Sequence, residues 1–92
     1  MRLGKNQKEL LLKMLQNNWV IRHCMDYTDN SRSITLEDFE GDNIYEDIPR
    51  RLFESIPGKL LKHSRSFPNL EIEIDEYKLS NFGKQKIVSM SD

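Results

Sequence analysis

One cysteine in 92 residues, Cys24, rules out an internal disulfide and suits a reducing compartment. No apolar run approaches the length of a membrane span. Met1-Arg2-Leu3-Gly4-Lys5 leads into a polar–apolar helical pattern rather than a signal-peptide segment, so a cytoplasmic location is expected. There is no glycine-rich phosphate loop, internal repeat or low-complexity tract. His23 beside Cys24 has no second His or Cys at ligand spacing, which speaks against a metal site. His63 next to Ser64 lacks an orienting acid, and no pair of carboxylates marks a cleft. Asp38-Phe39-Glu40-Gly41-Asp42 starts like a calcium loop, but Asn43 stands where Gly is needed and Pro49 where the closing Glu belongs. The expectation is a protein that is not an enzyme and carries no cofactor or metal.

What is present is a charged, thinly apolar chain. Hydrophobic residues make up 37%, and the mean hydropathy of −0.69 fits one soluble domain over 1–92 with a modest core. The net charge of −1 conceals segregation. Residues 1–13 carry Arg2, Lys5, Lys8 and Lys13 against Glu9. Residues 36–47 carry Glu37, Asp38, Glu40, Asp42, Glu46 and Asp47 with no basic residue. Residues 70–78 carry Glu71, Glu73, Asp75 and Glu76 against Lys78. Such bipolarity bears on partners rather than on fold.

The clearest local element is a first helix, with Leu10, Leu11, Met14 and Leu15 on one face and Asn17-Asn18 as its stop. Trp19, Phe39, Phe53 and Tyr77 read as core. Residues 19–36 read as a hairpin turning at Thr28–Ser33, the alternative being a second helix through Cys24-Met25. The acidic 37–46 stretch reads as loop, with a helical turn at Leu36–Phe39. Leu70, Ile72 and Ile74 alternate with acids, then the phase slips to Tyr77 and Leu79. That slip predicts a turn or bulge at Asp75-Glu76 between short strands 70–74 and 77–80, followed by a helical stretch over 81–88.

Between them, 47–66 reads as two short helices broken at Ile56-Pro57-Gly58. Asp47 is placed to cap the first, whose stripe is Leu52, Phe53 and Ile56. Pro57 suits the first turn of the second, where its missing N–H has no partner to lose. There Leu60 and Leu61 would face inward, with Lys59, Lys62, His63 and Ser66 outward and Arg65 beside them. Phe67-Pro68-Asn69 would stop it. From Pro49 to Ser66 five basic residues stand against one acid, the layout of a helix-turn-helix with a basic outer face.

Tyr77-Lys78-Leu79-Ser80-Asn81-Phe82-Gly83-Lys84 resembles the Tyr-x-Leu-Thr-x-x-Gly-Arg/Lys pattern that ends the wing in many winged helix-turn-helix regulators, with Ser80 for Thr and Lys84 for Arg. Leu3–Gln7 and the helix after it are similar to that family's opening. The resemblance implies an α+β winged helix with three core helices and a C-terminal β-hairpin wing at 70–79, to which the hairpin read at 19–36 adds an extra hairpin after helix one, in a 19–46 link longer than that family's usual one. It implies binding of double-stranded DNA by a transcriptional regulator, with helix 57–66 in the major groove. The groove-facing set would be Gly58, Lys59, Lys62, His63, Arg65 and Ser66, with backbone contacts from Arg50, Arg51, Lys5 and Lys8. Palindromic sites would require a homodimer, through the 19–36 hairpin or the 81–92 segment. The alternative, from a different class, is a winged-helix-like protein-interaction module or inhibitor that docks a basic partner on its acidic segments, 36–47 and 70–76.

Overall fold

The computed structural model describes residues 2–69 and 71–90. Chain order is α1 (Lys5–Asn17), β1 (Val20–Asp26), β2 (Ser31–Glu37), β3 (Ile44–Asp47), α2 (Arg50–Ser55), a 3₁₀ turn (Gly58–Leu60), β4 (Leu61–Pro68), β5 (Ile72–Leu79) and α3 (Asn81–Met90). The five strands form one antiparallel sheet in the order β3-β2-β1-β5-β4.

The local signals account for several of these elements. In α1 the backbone N–H of Gly4 donates to Gln7 Oε1 at the entry, and Asn18, at φ 58°, adopts the left-handed turn that ends the helix. Leu10, Leu11 and Met14 are its buried stripe. The expected hairpin after α1 is β1–β2, so the second-helix alternative through Cys24-Met25 falls. Asp26 and Asp29 carboxylates accept from the N–H groups of Thr28 and Ser31 and shape its turn. α3 occupies the expected helical stretch and runs to Met90.

The winged-helix expectation is overturned. No second helix spans 57–66: after the six-residue α2 the chain makes one 3₁₀ turn and becomes strand β4, paired along its length with β5. Backbone pairing over eight residues outweighs a short amphipathic pattern whose helix would have rested on little but Leu60 and Leu61. The wing is reorganised too. Residues 72–79 form one continuous strand, with no turn at Asp75-Glu76. The irregularity lies in the facing strand, where Ser64 is the extra residue between the pairs His63–Tyr77 and Arg65–Glu76. Leu70, the start of the expected first wing strand, lies outside the described residues. Asp47 belongs to β3 and does not cap α2, whose preceding residue is Pro49. Leu36 and Glu37 end strand β2 and Asp38 opens a turn closed by the Gly41 N–H on its carbonyl, so no helical turn forms at 36–39. The chain does not stop at Phe67-Pro68: β4 runs through them, and Asn69 turns it by accepting from the N–H groups of Glu71 and Ile72.

Cross-strand register divides the sheet into two faces. Ile21, Leu36, Ile34, Tyr77 and Leu79 share one face and join Leu10, Leu11 and Met14 of α1, Ile87 of α3, and Ile48, Ile56 and Leu60 in a single core. Phe53 of α2 packs on the same face, its ring near those of His23 and Tyr77. The opposite, open face carries Lys62, Lys78, Arg65, Glu76, Arg22, Phe67, Ile74 and Cys24. β5 therefore shows apolar groups first on one face and then on the other, which is why its alternation changes phase without the strand breaking. Trp19 stacks on Tyr45 of the β3 edge at 3.9 Å, while Phe39, expected in the core, is 41% exposed on the 38–43 loop.

Candidate functional site

The residues expected to line one helical surface alternate across a strand instead. Lys62 and Arg65 emerge on the open face, and His63 and Ser66 on the helix face. His63 Nε2 lies 3.0 Å from Asp75 Oδ1, and the Ser66 hydroxyl donates to that same oxygen at 2.9 Å. Hydroxyl and imidazole thus share an acceptor and do not form a nucleophile–base pair. Arg50 pairs with Glu54 within α2, Arg51 is exposed beside it, and Lys5 and Lys8 lie on the outside of α1. Gly58 and Lys59 sit in the 3₁₀ turn, with the Lys59 ammonium 5.2 Å from the Phe82 ring centre. The nine basic and polar positions do not converge on one groove-sized surface.

Two residues that sequence reasoning left out complete a different surface. Lys78 is the register partner of Lys62 on the open face. Lys78 and Lys84 line a common notch of about 130 Å³ with Met14 and Trp19. Lys59, Lys62, Lys78 and Lys84 are all exposed, but Lys59 lies over Phe82, which is two residues from Lys84 and therefore on the other side of α3. Among the described residues, no carboxylate lies within ion-pair distance of any of the four. The missed signal was the register: Lys62 and Lys78 are neighbours only because β4 pairs with β5.

Beside them on the open face is a buried charge network. Glu76 is fully buried; Arg22 Nη2 reaches its carboxylate at 2.5 Å, and Arg65 contributes Nε at 2.9 Å and Nη2 at 2.6 Å. Burial works to raise the Glu76 carboxyl, but hydrogen bonds from Arg65 and Ser64 and the charges of Arg22 and Arg65 outweigh it and hold it below its ordinary value. Arg22 also bonds Glu37 and the carbonyls of Asp38 and Phe39, and Arg65 bonds the Phe39 carbonyl. The two arginines thereby clip the 38–43 loop onto the sheet.

The acidic segments are largely engaged within the fold. Glu37 is held by Arg22, Glu46 by Lys13, Glu73 by the Tyr27 hydroxyl and Asp75 by His63 and Ser66. Asp38 accepts from the Asn43 amide and the Asp42 N–H, closing its own turn. β1, half of one expected dimer surface, is the central strand with both edges paired. No group of three His, Cys, Asp or Glu among the described residues is arranged to hold a metal. No helix among them is long and apolar enough to cross a membrane.

The chain is a two-layer α+β domain whose open sheet face sets two exposed lysines, Lys62 and Lys78, opposite each other beside a buried Arg–Glu–Arg network. No family model, curated protein or solved structure matches the chain.

Proposed function

We propose that the protein is a nucleic-acid-binding domain that grips the phosphate backbone with Lys62, Lys78 and Lys84. The observation that carries this reading is the direct opposition of Lys62 and Lys78 across β4 and β5, with no carboxylate among the described residues within ion-pair distance of either. Like charges in register repel and destabilise an antiparallel pair. A phosphate lying over both turns that repulsion into attraction and releases the counterions condensed on the nucleic acid. The site binds without chemistry. Readout of duplex sequence, and the regulatory role that went with it, rested on a helix that is absent, so the proposal stops at the backbone. A cytoplasmic setting fits it, with Cys24 as a free thiol.

Anisotropy of a labelled DNA across a salt series tests the proposal. The expected affinity falls linearly on logarithmic axes with a slope of about −2 to −3, at roughly 0.7–0.9 per phosphate neutralised. In the double variant Lys62→Ala/Lys78→Ala, binding weakens and the slope shrinks by about 1.5. Absence of binding at low salt, or a double variant with unaltered affinity and slope, overturns it.

A further inference from the structure

We infer that the nucleic acid taken by this face is single-stranded, with bases stacking on the rings of Phe39 and Phe67. The inference rests on the lysine-grip reading above and adds the chemistry of the partner. Lys62, Arg65 and Phe67 follow one another along β4 on the open face, so the cationic patch continues into an aromatic one. The Arg65 guanidinium carbon sits 4.6 Å from the Phe39 ring centre and 5.4 Å from that of Phe67. Phe39 is 41% and Phe67 45% exposed, so both rings keep surface open to solvent beside a guanidinium.

Three features make this a prepared platform. The first is anchoring: the Phe39 carbonyl accepts from Arg22 and from Arg65, each at 2.9 Å, and both arginines are tied to buried Glu76. Gly41, at φ +82°, makes the bend that brings the loop back, and Asp38 closes its turn. Little ordering is therefore left for the ligand to drive. The second is charge. On the sheet, Glu76 and Glu37 are neutralised by Arg22 and Arg65, while Glu73 and Asp75 point to the other face of β5. On the loop, Asp38 is turned into its own hydrogen bonds and Glu40 is exposed beside Phe39, so phosphates are drawn to the lysine end and only bases to the rings. The third is shape. A duplex keeps its bases stacked on one another and shows a protein their edges and the phosphates but not their π faces, so it meets the lysines and gives the rings nothing to stack on. A single strand offers phosphates to the lysines and unpaired bases to the aromatics, the combination used for sequence-tolerant single-strand binding.

The test compares one labelled mixed-sequence 20-nucleotide DNA, single-stranded and annealed to its complement, in anisotropy titrations at matched salt. The single strand is expected to bind more tightly. Phe67→Ala and Phe39→Leu should each weaken single-strand binding by about tenfold, leaving the salt slope and duplex affinity unchanged. Leu keeps an apolar contact but has no π face, and Phe67 is exposed enough for Ala to be accommodated; thermal melts of both variants verify folding. Lys62→Ala/Lys78→Ala should weaken both ligands. Equal affinity for the two forms, or Phe variants that bind the single strand as the parent does, overturns the stacking inference while the lysine grip stands. Stacking is likewise overturned if sedimentation shows this face buried between two copies of the chain. Binding to neither form removes both readings together.

Discussion

Arg22 and Glu76 face each other in register across β1 and β5, and the carboxylate has no surface exposed to water. With Arg65 closing on it from β4, one acid joins three neighbouring positions of the sheet and, through the Phe39 carbonyl, the 38–43 loop. The sheet centre and the loop are thus held by the same ionised group.

Removing that charge should be costly. Glu76→Gln leaves Arg22, largely buried, with Glu37 as its remaining acid, and should lower the unfolding free energy by about 3 kcal/mol in denaturant melts. The loop should loosen with it, read as faster amide exchange at residues 38–43. An unchanged midpoint would mean that the network contributes little beyond its own desolvation cost.

Gly83 supplies a test of opposite sign to helix propensity. Alanine is ordinarily favoured over glycine inside a helix by about 1 kcal/mol. Here a Cβ at 83 would lie 2.3 Å from the backbone carbonyl oxygen of Leu60, in the 3₁₀ turn against which α3 packs. Gly83→Ala should therefore destabilise the fold by about 1–3 kcal/mol, seen as a lowered melting temperature. A stabilised variant would refute the close approach of α3 to that turn.

Acidification should erode stability in two stages. Burial and then the positive charge of Arg32 push the His23 imidazole below its ordinary 6.5; Asp75 and Glu73 pull the other way, and Arg50 adds to the push. The unfolded chain therefore takes up this proton first, and stability drops as pH falls below 6.5 toward the lowered folded value. Glu76, also depressed when folded, contributes stability that is present above its ordinary 4.5 and lost as pH falls through its folded value. His23→Gln should flatten the upper stage and leave the lower one, in melts between about pH 7.5 and about pH 4. If the upper stage persists in the variant, His23 is not its source.

The sequence and the fold agree where the signal is local. The helical stripe of Leu10, Leu11 and Met14 and the Asn18 stop are contained in α1, and the polar cluster after Tyr27 makes the β1–β2 turn from its own carboxylates. They diverge at 57–80. Leu60 and Leu61 as neighbours mimic a helical face, and the Ser64 bulge breaks the period of two that would have revealed β4. The change of phase after Ile74 mimics a turn because β5 has apolar neighbours on both faces.

By itself, then, the sequence determined those elements whose stabilising contacts lie within one turn or one hairpin: α1, the β1–β2 hairpin and α3. Only tertiary structure decided that 61–68 is a strand, because its hydrogen bonds come from β5 and not from within the segment. The same pairing decided the candidate site. It sets Lys78 opposite Lys62 and sends His63 and Ser66 to the far face, while Arg22 and Arg65 together hold Phe39 beside Phe67. Residues so far apart in the chain become neighbours through cross-strand register, which hydrophobic periodicity along a single segment does not encode.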